Sequence, residues 1–269
     1  MEKIAIELGP VNIYWYSITM FLAILSGAFI FFNLTKKEKY KEEFITNLVF
    51  YGAIFGILGA RIYYILFNLD YYLENPLEII AIWNGGLAIH GGIIGGALWF
   101  IYYCKKHNKN ILKIFDLAVP CLILGQAIGR WGNFFNGEAH GPKVAKKVLE
   151  SLPIPNFVVN GMRIDGSYYQ PTFFYESVWC LLGFIILITL TIKYRHKLKT
   201  GLITGIYFMW YSICRFFIES LRTDSLMLGN IKIAQLVSIT LFLLGLFLIL
   251  YKKKDTRINR LKERTEKNE

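Results

Sequence analysis

Seven long apolar runs, separated by short polar segments, organise this chain of 269 residues. The runs cover residues 14–34, 47–67, 84–103, 114–135, 173–192, 201–221 and 233–251. Each approaches the ~20 residues that a helix needs to cross the hydrocarbon core of a bilayer. Because lipid offers no partner for backbone polar groups, such runs predict helices. The pattern therefore predicts an all-α polytopic membrane protein with about seven transmembrane helices.

Composition supports a membrane class, since 55% of the residues are hydrophobic and no domain-sized polar segment remains. We expect residues 1–251 to form a single membrane-embedded domain. The lead-in to the first run, "MEKIAIELGPVN", has one Lys against two Glu. A cleaved signal peptide would begin with a basic segment, so the first run is predicted to stay as a span.

The net charge of +11 raises the question of a nucleic-acid partner, but the positions of the basic residues argue against one. Twenty of the 30 Lys and Arg residues fall on one side of the predicted spans, and seven fall on the other. Cytoplasmic segments of membrane proteins carry such an excess. We therefore expect an outside N-terminus and a cytoplasmic C-terminus, with residues 252–269 forming a basic cytoplasmic tail.

The segment 137–172 differs from the rest of the chain, because it is rich in Pro and Gly and lies between spans four and five. Its stretch "NFVVNGMRIDGSYY" alternates in polarity and contains the turn dipeptides Asn-Gly and Asp-Gly. These features predict a small β-like excursion, which faces outward by the charge argument.

Six ionisable residues lie in or beside the apolar runs, where a charge at a helix centre costs about 2.5–3.5 kcal/mol on insertion scales. They are Arg61, His90, Arg130, Glu176, Arg215 and Glu219. Some have a structural interpretation: Arg215 and Glu219 are four apart and could pair along one helix face. Glu176 lies in the first turn of its run, where the helix dipole favours an acid.

Two helical stripes place an arginine among further hydrogen-bonding groups. One stripe holds Gln126, Arg130, Asn133 and Gly137, and the other holds Tyr211, Arg215, Ile218 and Arg222. Arginine forms charge-assisted, often bidentate bonds to phosphate. Because both stripes are predicted to reach the outer side, together they indicate a phospholipid headgroup site.

Other chemistries find little support in the sequence. The chain has no His, Asp or Glu cluster with metal-ligand spacing, no P-loop and no dinucleotide fingerprint, so neither a metal nor a cofactor is predicted. The four cysteines fall in or beside separate spans, which favours apolar packing over disulfides. Glycine-rich stretches in runs two and three predict close packing between helices.

Several motifs, in order along nearly the whole chain, resemble the prolipoprotein diacylglyceryl transferase family. "GRWGNFFNGEAHG" is similar to the family signature, and "NGGLAIHGGIIGG" to its histidine motif. "YWYSITMFLAI", "GARIYYILF", "YSICRFFIESLR" and "IAQLVS" resemble its motifs in the first, second, sixth and last spans. The chain departs from the family pattern in "QPTFFYE" before span five and in "EAHG" after the signature.

The resemblance implies a reaction in a bacterial cytoplasmic membrane. A diacylglyceryl group passes from phosphatidylglycerol to the thiol of a lipobox cysteine in a prolipoprotein, which forms a thioether and releases glycerol phosphate. By resemblance, His90, Arg130 and Arg215 are the catalytic residues, with His90 transferring a proton or orienting the lipid. Arg130 would hold the phosphate and Glu138 would fix the arginine. The implied substrate-binding residues are Tyr16, Arg61, Tyr64, Asn133, Asn136, Glu138, Gly141, Tyr211, Glu219 and Arg222.

Two other classes also account for intramembrane arginines. A transporter or channel would line a pathway with them, and a non-catalytic scaffold would bind phosphatidylglycerol without transferring it. For Tyr16 and Tyr64, the interfacial aromatic belt is an equally good interpretation. Transfer of one diacylglyceryl group to a lipobox peptide distinguishes an enzyme from both alternatives.

Overall fold

The computed structural model describes residues 3–8, 11–194, 197–222, 227–229 and 231–251, so the predicted tail at 252–269 lies outside the described residues. An antiparallel hairpin of β1 (Ile4–Leu8) and β2 (Val11–Tyr14) leads into α1 (Trp15–Lys37). Then follow α2 (Glu42–Leu66), α3 (Leu69–Glu74), two 3₁₀ turns (Pro76–Ile80 and Ile82–Asn84) and α4 (Ile89–Lys106).

The second half of the chain contains four long helices and two small hairpins. Its elements are α5 (Ile111–Asn136), α6 (Lys146–Glu150), α7 (Asn156–Gly161), β3 (Arg163–Ile164), β4 (Ser167–Tyr168), α8 (Thr172–Tyr194), α9 (Leu202–Leu221), β5 (Met227–Leu228), β6 (Ile231–Lys232) and α10 (Ile233–Leu250). Strands β3 and β4 pair antiparallel, as do β5 and β6.

Long apolar helices dominate the described part of the chain, which confirms the prediction of an all-α membrane protein. Five of them, α1, α2, α5, α8 and α10, are long and apolar enough to cross a membrane on length and composition. Two further long helices, α4 and α9, overlap the third and sixth predicted runs but are more polar. Glycines and two terminal lysines lower the hydropathy of α4, and Arg215 and Glu219 lower that of α9.

The chain divides into two compact units, of which one comprises residues 1–30 and 115–269 and the other comprises residues 31–114. In the second unit, α2 and α4 approach each other through glycines. A Cβ atom added to Gly59 would collide with the carbonyl oxygen of Gly91 and would lie 3.0 Å from the Cα of Gly95. The predicted close packing of these glycines is therefore confirmed, because larger side chains would separate the two helices.

In the first unit, α5, α8 and α9 share a core. Its buried side chains are Val119, Ile123, Ala127, Cys180, Leu187, Ile203 and Tyr207. Cysteine here behaves as a small apolar residue: all four cysteines of the chain are free and buried. The apolar-packing interpretation of the cysteines is thus confirmed.

Residues 137–171 fold over the end of α5 as two short helices and one hairpin. The Asp-Gly turn is present, with Asp165 and Gly166 both at positive φ between β3 and β4. The Asn-Gly turn at residues 160–161 was predicted wrongly, because these residues end α7. Val158 and Val159 of that helix are buried in a second core with Phe134 and Phe173, so tertiary packing overrides the local turn signal.

A buried carboxylate from α5 caps the start of α9. Asp116 Oδ2 accepts a hydrogen bond from the backbone N–H of Gly201 at 2.6 Å. Asp116 Oδ1 accepts bonds from the N–H and the hydroxyl of Thr204 at 2.9 and 2.6 Å. The first N–H groups of a helix lack partners within it, so this acid satisfies them from outside. The cap fixes α9 against α5 some 14 residues before Arg130 and Arg215 on the respective helices.

Candidate functional site

The signature stretch forms the end of α5, and its sequence explains how that helix stops. Gly137 follows the last helical residue at φ +67°, a conformation that glycine adopts without steric cost. The N–H of Gly137 donates to Phe134 O, and the N–H of Glu138 donates to Asn133 O, both at 3.1 Å. This pair of bonds is a Schellman cap. It turns the chain so that the Glu138 side chain returns over the last turn.

Glu138 accepts hydrogen bonds from the two amide side chains of the signature. Its Oε1 accepts bonds from Asn133 Nδ2 at 3.0 Å and from Asn136 Nδ2 at 3.3 Å. The Oδ1 of Asn133 in turn accepts a bond from Arg130 Nη1 at 3.3 Å. Arg130, Asn133, Asn136 and Glu138 therefore form one connected network at the end of α5.

A buried carboxylate from another helix binds Arg130 directly. Glu176 of α8 has a side chain that is only 2% exposed, and its Oε1 lies 2.6 Å from Arg130 Nη2. Glu138 was predicted to fix the arginine, but it reaches Arg130 only through Asn133. The geometry assigns direct contact to Glu176, because the start of α8 packs beside the last turns of α5.

Arg215 joins the same carboxylate from α9. Its Nη1 lies 3.6 Å from Glu176 Oε2, and its Nη2 lies 2.7 Å from Glu219 Oε2. The predicted pairing of Arg215 with Glu219 along one helix face is therefore confirmed. Two arginines and two acids thus meet from three helices, and their formal charges cancel.

Exposure differs between the two signs of charge in this cluster. The side chains of Glu176 and Glu219 are 2% and 3% exposed, whereas those of Arg130 and Arg215 are 21% and 17% exposed. The acids are therefore more deeply buried than the arginine side chains. Each guanidinium carries more N–H groups than its acid partners bind, so further donors remain for an anion that reaches the cluster.

The other predicted residues of α9 lie near this cluster on the helix or at its end. Tyr211 stacks on Tyr207, whose hydroxyl accepts a bond from Gln126 at 3.1 Å. Arg222 follows the last turn, and its carbonyl accepts a bond from Lys232 Nζ at 2.9 Å. Lys232 Nζ also donates to Glu219 O at 2.6 Å, so a cation caps the carbonyl end of α9.

Tyr16 packs against the signature, and Gly141 is its last residue. The Tyr16 ring packs on α5 so closely that a Cβ added to Gly132 would lie 2.7 Å from it. Gly141 donates its N–H to Gln170 O at 2.9 Å, and a Cβ there would lie 2.9 Å from Gln170 Cβ. Gly141 thus allows the segment after the signature to pack against the residues that precede α8.

Arg61, in the second unit, is a buried anchor for the loop before α4. Its guanidinium donates to the carbonyls of Glu78 at 2.5 Å, Ile79 at 2.9 Å, Gly85 at 2.8 Å and Gly86 at 3.0 Å. Its charge also lies over the ring of Tyr72, 5.2 Å from the centroid. These bonds occupy all three guanidinium nitrogens, so the geometry gives Arg61 a positioning role.

Tyr64 and His90 lie on either side of that loop. The Tyr64 ring packs against Gly86, where an added Cβ would lie 2.9 Å from it. His90 is the second residue of α4, and its side chain is exposed. Its ring centroid is 6.1 Å from that of Tyr63. The N–H of Ala88 bonds to Ala60 O at 3.1 Å, which fixes the start of α4 on α2.

Sequence reasoning identified most of this arrangement but missed two acids. Glu176 was interpreted as a dipole-favoured residue, and its position as the only acid in the apolar run of α8 was the available signal. Asp116 was overlooked, although it is likewise the only acid in the run of α5. Within the described ranges, no group of three or more His, Cys, Asp or Glu side chains is placed to hold a metal ion.

Comparison with known proteins identifies the family. Residues 3–251 match the family model of prolipoprotein diacylglyceryl transferase. The chain belongs to the prolipoprotein diacylglyceryl transferase family. The match covers both units and includes the signature, the arginine cluster and His90.

Relatives that carry the name phosphatidylglycerol–prolipoprotein diacylglyceryl transferase are similar over nearly their full length. The protein of Staphylococcus xylosus is 49% identical over 264 residues, which cover 98% of this chain and 94% of the relative. That of Staphylococcus carnosus strain TM300 is 49% identical, with 94% and 91% of the two chains covered. That of Staphylococcus aureus strain MSSA476 is 48% identical, with 94% and 90% covered.

Proposed function

We propose that this protein transfers the diacylglyceryl group of phosphatidylglycerol to the lipobox cysteine of prolipoproteins. Family membership supports the reaction class, and one geometric observation carries the proposal: two arginines from different helices meet on a single buried carboxylate, which is less exposed than either arginine side chain. A paired guanidinium site suits a phosphate that must leave with a negative charge.

The proposed reaction is a displacement at carbon. The cysteine sulfur attacks the glycerol carbon that bears the phosphate ester, and a C–S bond forms as the C–O bond breaks. The departing oxygen takes the electron pair, so glycerol phosphate leaves as an anion. Arg130 and Arg215 would stabilise that charge. Asn133, Asn136 and Glu138 would orient the headgroup, and Glu176 would hold both arginines in place.

We assign proton transfer to His90 by its position in the family's histidine motif. The thiolate is the nucleophilic form of cysteine, so a base must accept the thiol proton at neutral pH. An imidazole is suited to this step because it titrates in that range. Tyr16, Tyr64 and Tyr211 would donate hydrogen bonds to ester or phosphate oxygens. Gly141, Glu219 and Arg222 would hold the backbone and the arginines of the first unit, and Arg61 would hold the loop before α4.

Reconstitution tests this function directly. The purified protein is placed in vesicles of phosphatidylglycerol and phosphatidylcholine together with a lipobox peptide, and the peptide mass is followed. We expect a gain of one diacylglyceryl group, and no gain with a Cys→Ser peptide or with phosphatidylcholine alone. Lipid binding without any gain in peptide mass would contradict transfer and favour a scaffold.

We further propose seven spans in the bacterial cytoplasmic membrane, with the N-terminus outside and the C-terminus in the cytoplasm. The support is the charge asymmetry together with seven long helices that overlap the seven apolar runs. Cysteines introduced at 160 should react with an impermeant reagent in intact cells, whereas those at 38, 108 and 260 should react only after permeabilisation. Labelling of position 260 in intact cells would reverse the assigned orientation.

A further inference from the structure

A cleft lies beside the signature, within the first unit, and its lining includes several hydrogen-bonding side chains. It has a volume of about 310 Å³ and is lined by Lys3, Tyr14, Tyr16, Ser17, Asn136 and Glu138. The N-terminal hairpin and the first turn of α1 supply four of these side chains, and the end of α5 supplies the other two. Three of the six, Lys3, Tyr14 and Ser17, have no role in the mechanism above.

The cleft is connected to the arginine cluster by hydrogen bonds. Arg130 bonds to Asn133 at 3.3 Å, and Asn133 bonds to Glu138 at 3.0 Å. Asn133 therefore connects Glu138 to Arg130, the residue that would hold the phosphate. In phosphatidylglycerol, the part that lies beyond the phosphate on the polar side is a glycerol with two neighbouring hydroxyl groups.

The side chains in the cleft suit a neutral diol. Asn133 and Asn136 both bond to Glu138 Oε1, which leaves Oε2 as an acceptor for a hydroxyl donor. The hydroxyl groups of Tyr14 and Ser17 can each donate and accept. Lys3 and Glu138 give the cleft one charge of each sign, so it has no net charge and its selectivity for a diol rests on hydrogen bonds.

We propose that this cleft binds the glycerol end of the phosphatidylglycerol headgroup. This inference rests on the proposed function, because Arg130 must hold the phosphate for the glycerol to reach the cleft. Tyr14 and Ser17 are then specificity-determining residues, supplied by β2 and the first turn of α1.

Two soluble headgroups test the proposal with the full chain: glycerol 1-phosphate, which carries the diol, and phosphoethanolamine, which carries an ammonium group instead. Each is used to inhibit transfer from phosphatidylglycerol vesicles to the lipobox peptide. The variants are Tyr14→Phe and Ser17→Ala. Lys147→Gln is the matched control, because Lys147 is exposed on α6 and lies outside the cleft.

We expect Tyr14→Phe and Ser17→Ala to weaken inhibition by glycerol 1-phosphate by about 3- to 10-fold, the worth of one hydrogen bond, and to leave inhibition by phosphoethanolamine unchanged. Equal changes for both inhibitors, or changes no larger than those of Lys147→Gln, would overturn the proposal.

Calorimetric binding of the same two phosphates separates this inference from the proposed function. Selective binding of glycerol 1-phosphate that is lost in Ser17→Ala supports the cleft even where no peptide is modified. Transfer by the wild-type protein with no selectivity between the two phosphates would refute the cleft and leave the proposed function standing.

Discussion

Removal of the charge on Glu176 is the perturbation that tests the arginine cluster most directly. Glu176→Gln keeps the size of the side chain but leaves Arg130, 2.6 Å away, without its carboxylate. The other bond to Arg130 comes from the neutral amide of Asn133. Arg215 is affected less, since Glu219 remains 2.7 Å from it. Because removal of one partner strands a partly buried charge, we expect the free energy of unfolding to fall by about 3–5 kcal/mol.

A double-mutant cycle measures the coupling. Arg130→Gln alone removes the closest cation from the buried Glu176. The double variant Arg130→Gln/Glu176→Gln removes both charges of this pair together. The double variant should therefore lose less than the sum of the single losses, by about 1–3 kcal/mol. The cycle of Glu176 with Arg215 should give a smaller coupling, because their distance is 3.6 Å and Arg215 has a second acid.

Equilibrium unfolding in mixed micelles provides the measurement, and transfer to the lipobox peptide is recorded for every variant. The exposed pair of Lys146 and Glu150, 2.9 Å apart on α6, is the control, and its cycle should show almost no coupling because solvent screens both charges. If the losses for Glu176 and Arg130 add to within about 0.5 kcal/mol, the two residues do not form a functional ion pair and the cluster argument fails.

Three further predictions concern the arginines, His90 and the cap of α9. Arg130→Lys and Arg215→Lys should each reduce transfer nearly as much as replacement by Ala, since an ammonium cannot reproduce the planar fork; near-wild-type rates at equal protein levels would show that charge alone suffices. His90→Asn should lower transfer by about 10²- to 10⁴-fold at neutral pH, with partial recovery as the pH approaches the range where the peptide thiol ionises by itself; a parallel pH–rate profile would exclude a proton-transfer role. Asp116→Asn should destabilise the protein by about 1–3 kcal/mol through the weakened cap of α9, as measured by unfolding in micelles; an unchanged stability would contradict the cap.

The long helices could be predicted from the sequence because the bilayer imposes a strong rule. A backbone in lipid must satisfy its own hydrogen bonds, so length and hydropathy alone determine where helices form. The predicted run 233–251 and helix α10 (Ile233–Leu250) agree closely for this reason. The segment 137–171 follows no such rule, and there the packing of Val158 and Val159 turned a predicted turn into a helix.

The partners within the site were harder to predict, because they lie far apart along the chain. Spacing of four residues indicated the pair of Arg215 and Glu219, which lie on one helix. Arg130 and Glu176 are 46 residues apart and lie on different helices, so no local periodicity connects them. Their pairing depends on how α5 and α8 pack, which hydropathy does not specify.

The polar residues within the apolar runs also indicated where the proposed site lies. Helix α9 falls outside the five helices that qualify as spans on length and composition, and the residues that interrupt its apolar sequence include Arg215 and Glu219. A charge in a membrane helix costs several kcal/mol unless it is paired. Here each arginine meets an acid, so the pairs offset the cost of keeping cations at membrane depth. The acids are the more deeply buried members, so the cluster keeps both arginine side chains partly accessible. The site proposed for an anionic lipid headgroup therefore includes residues of α9, one of the two long helices that do not qualify as spans.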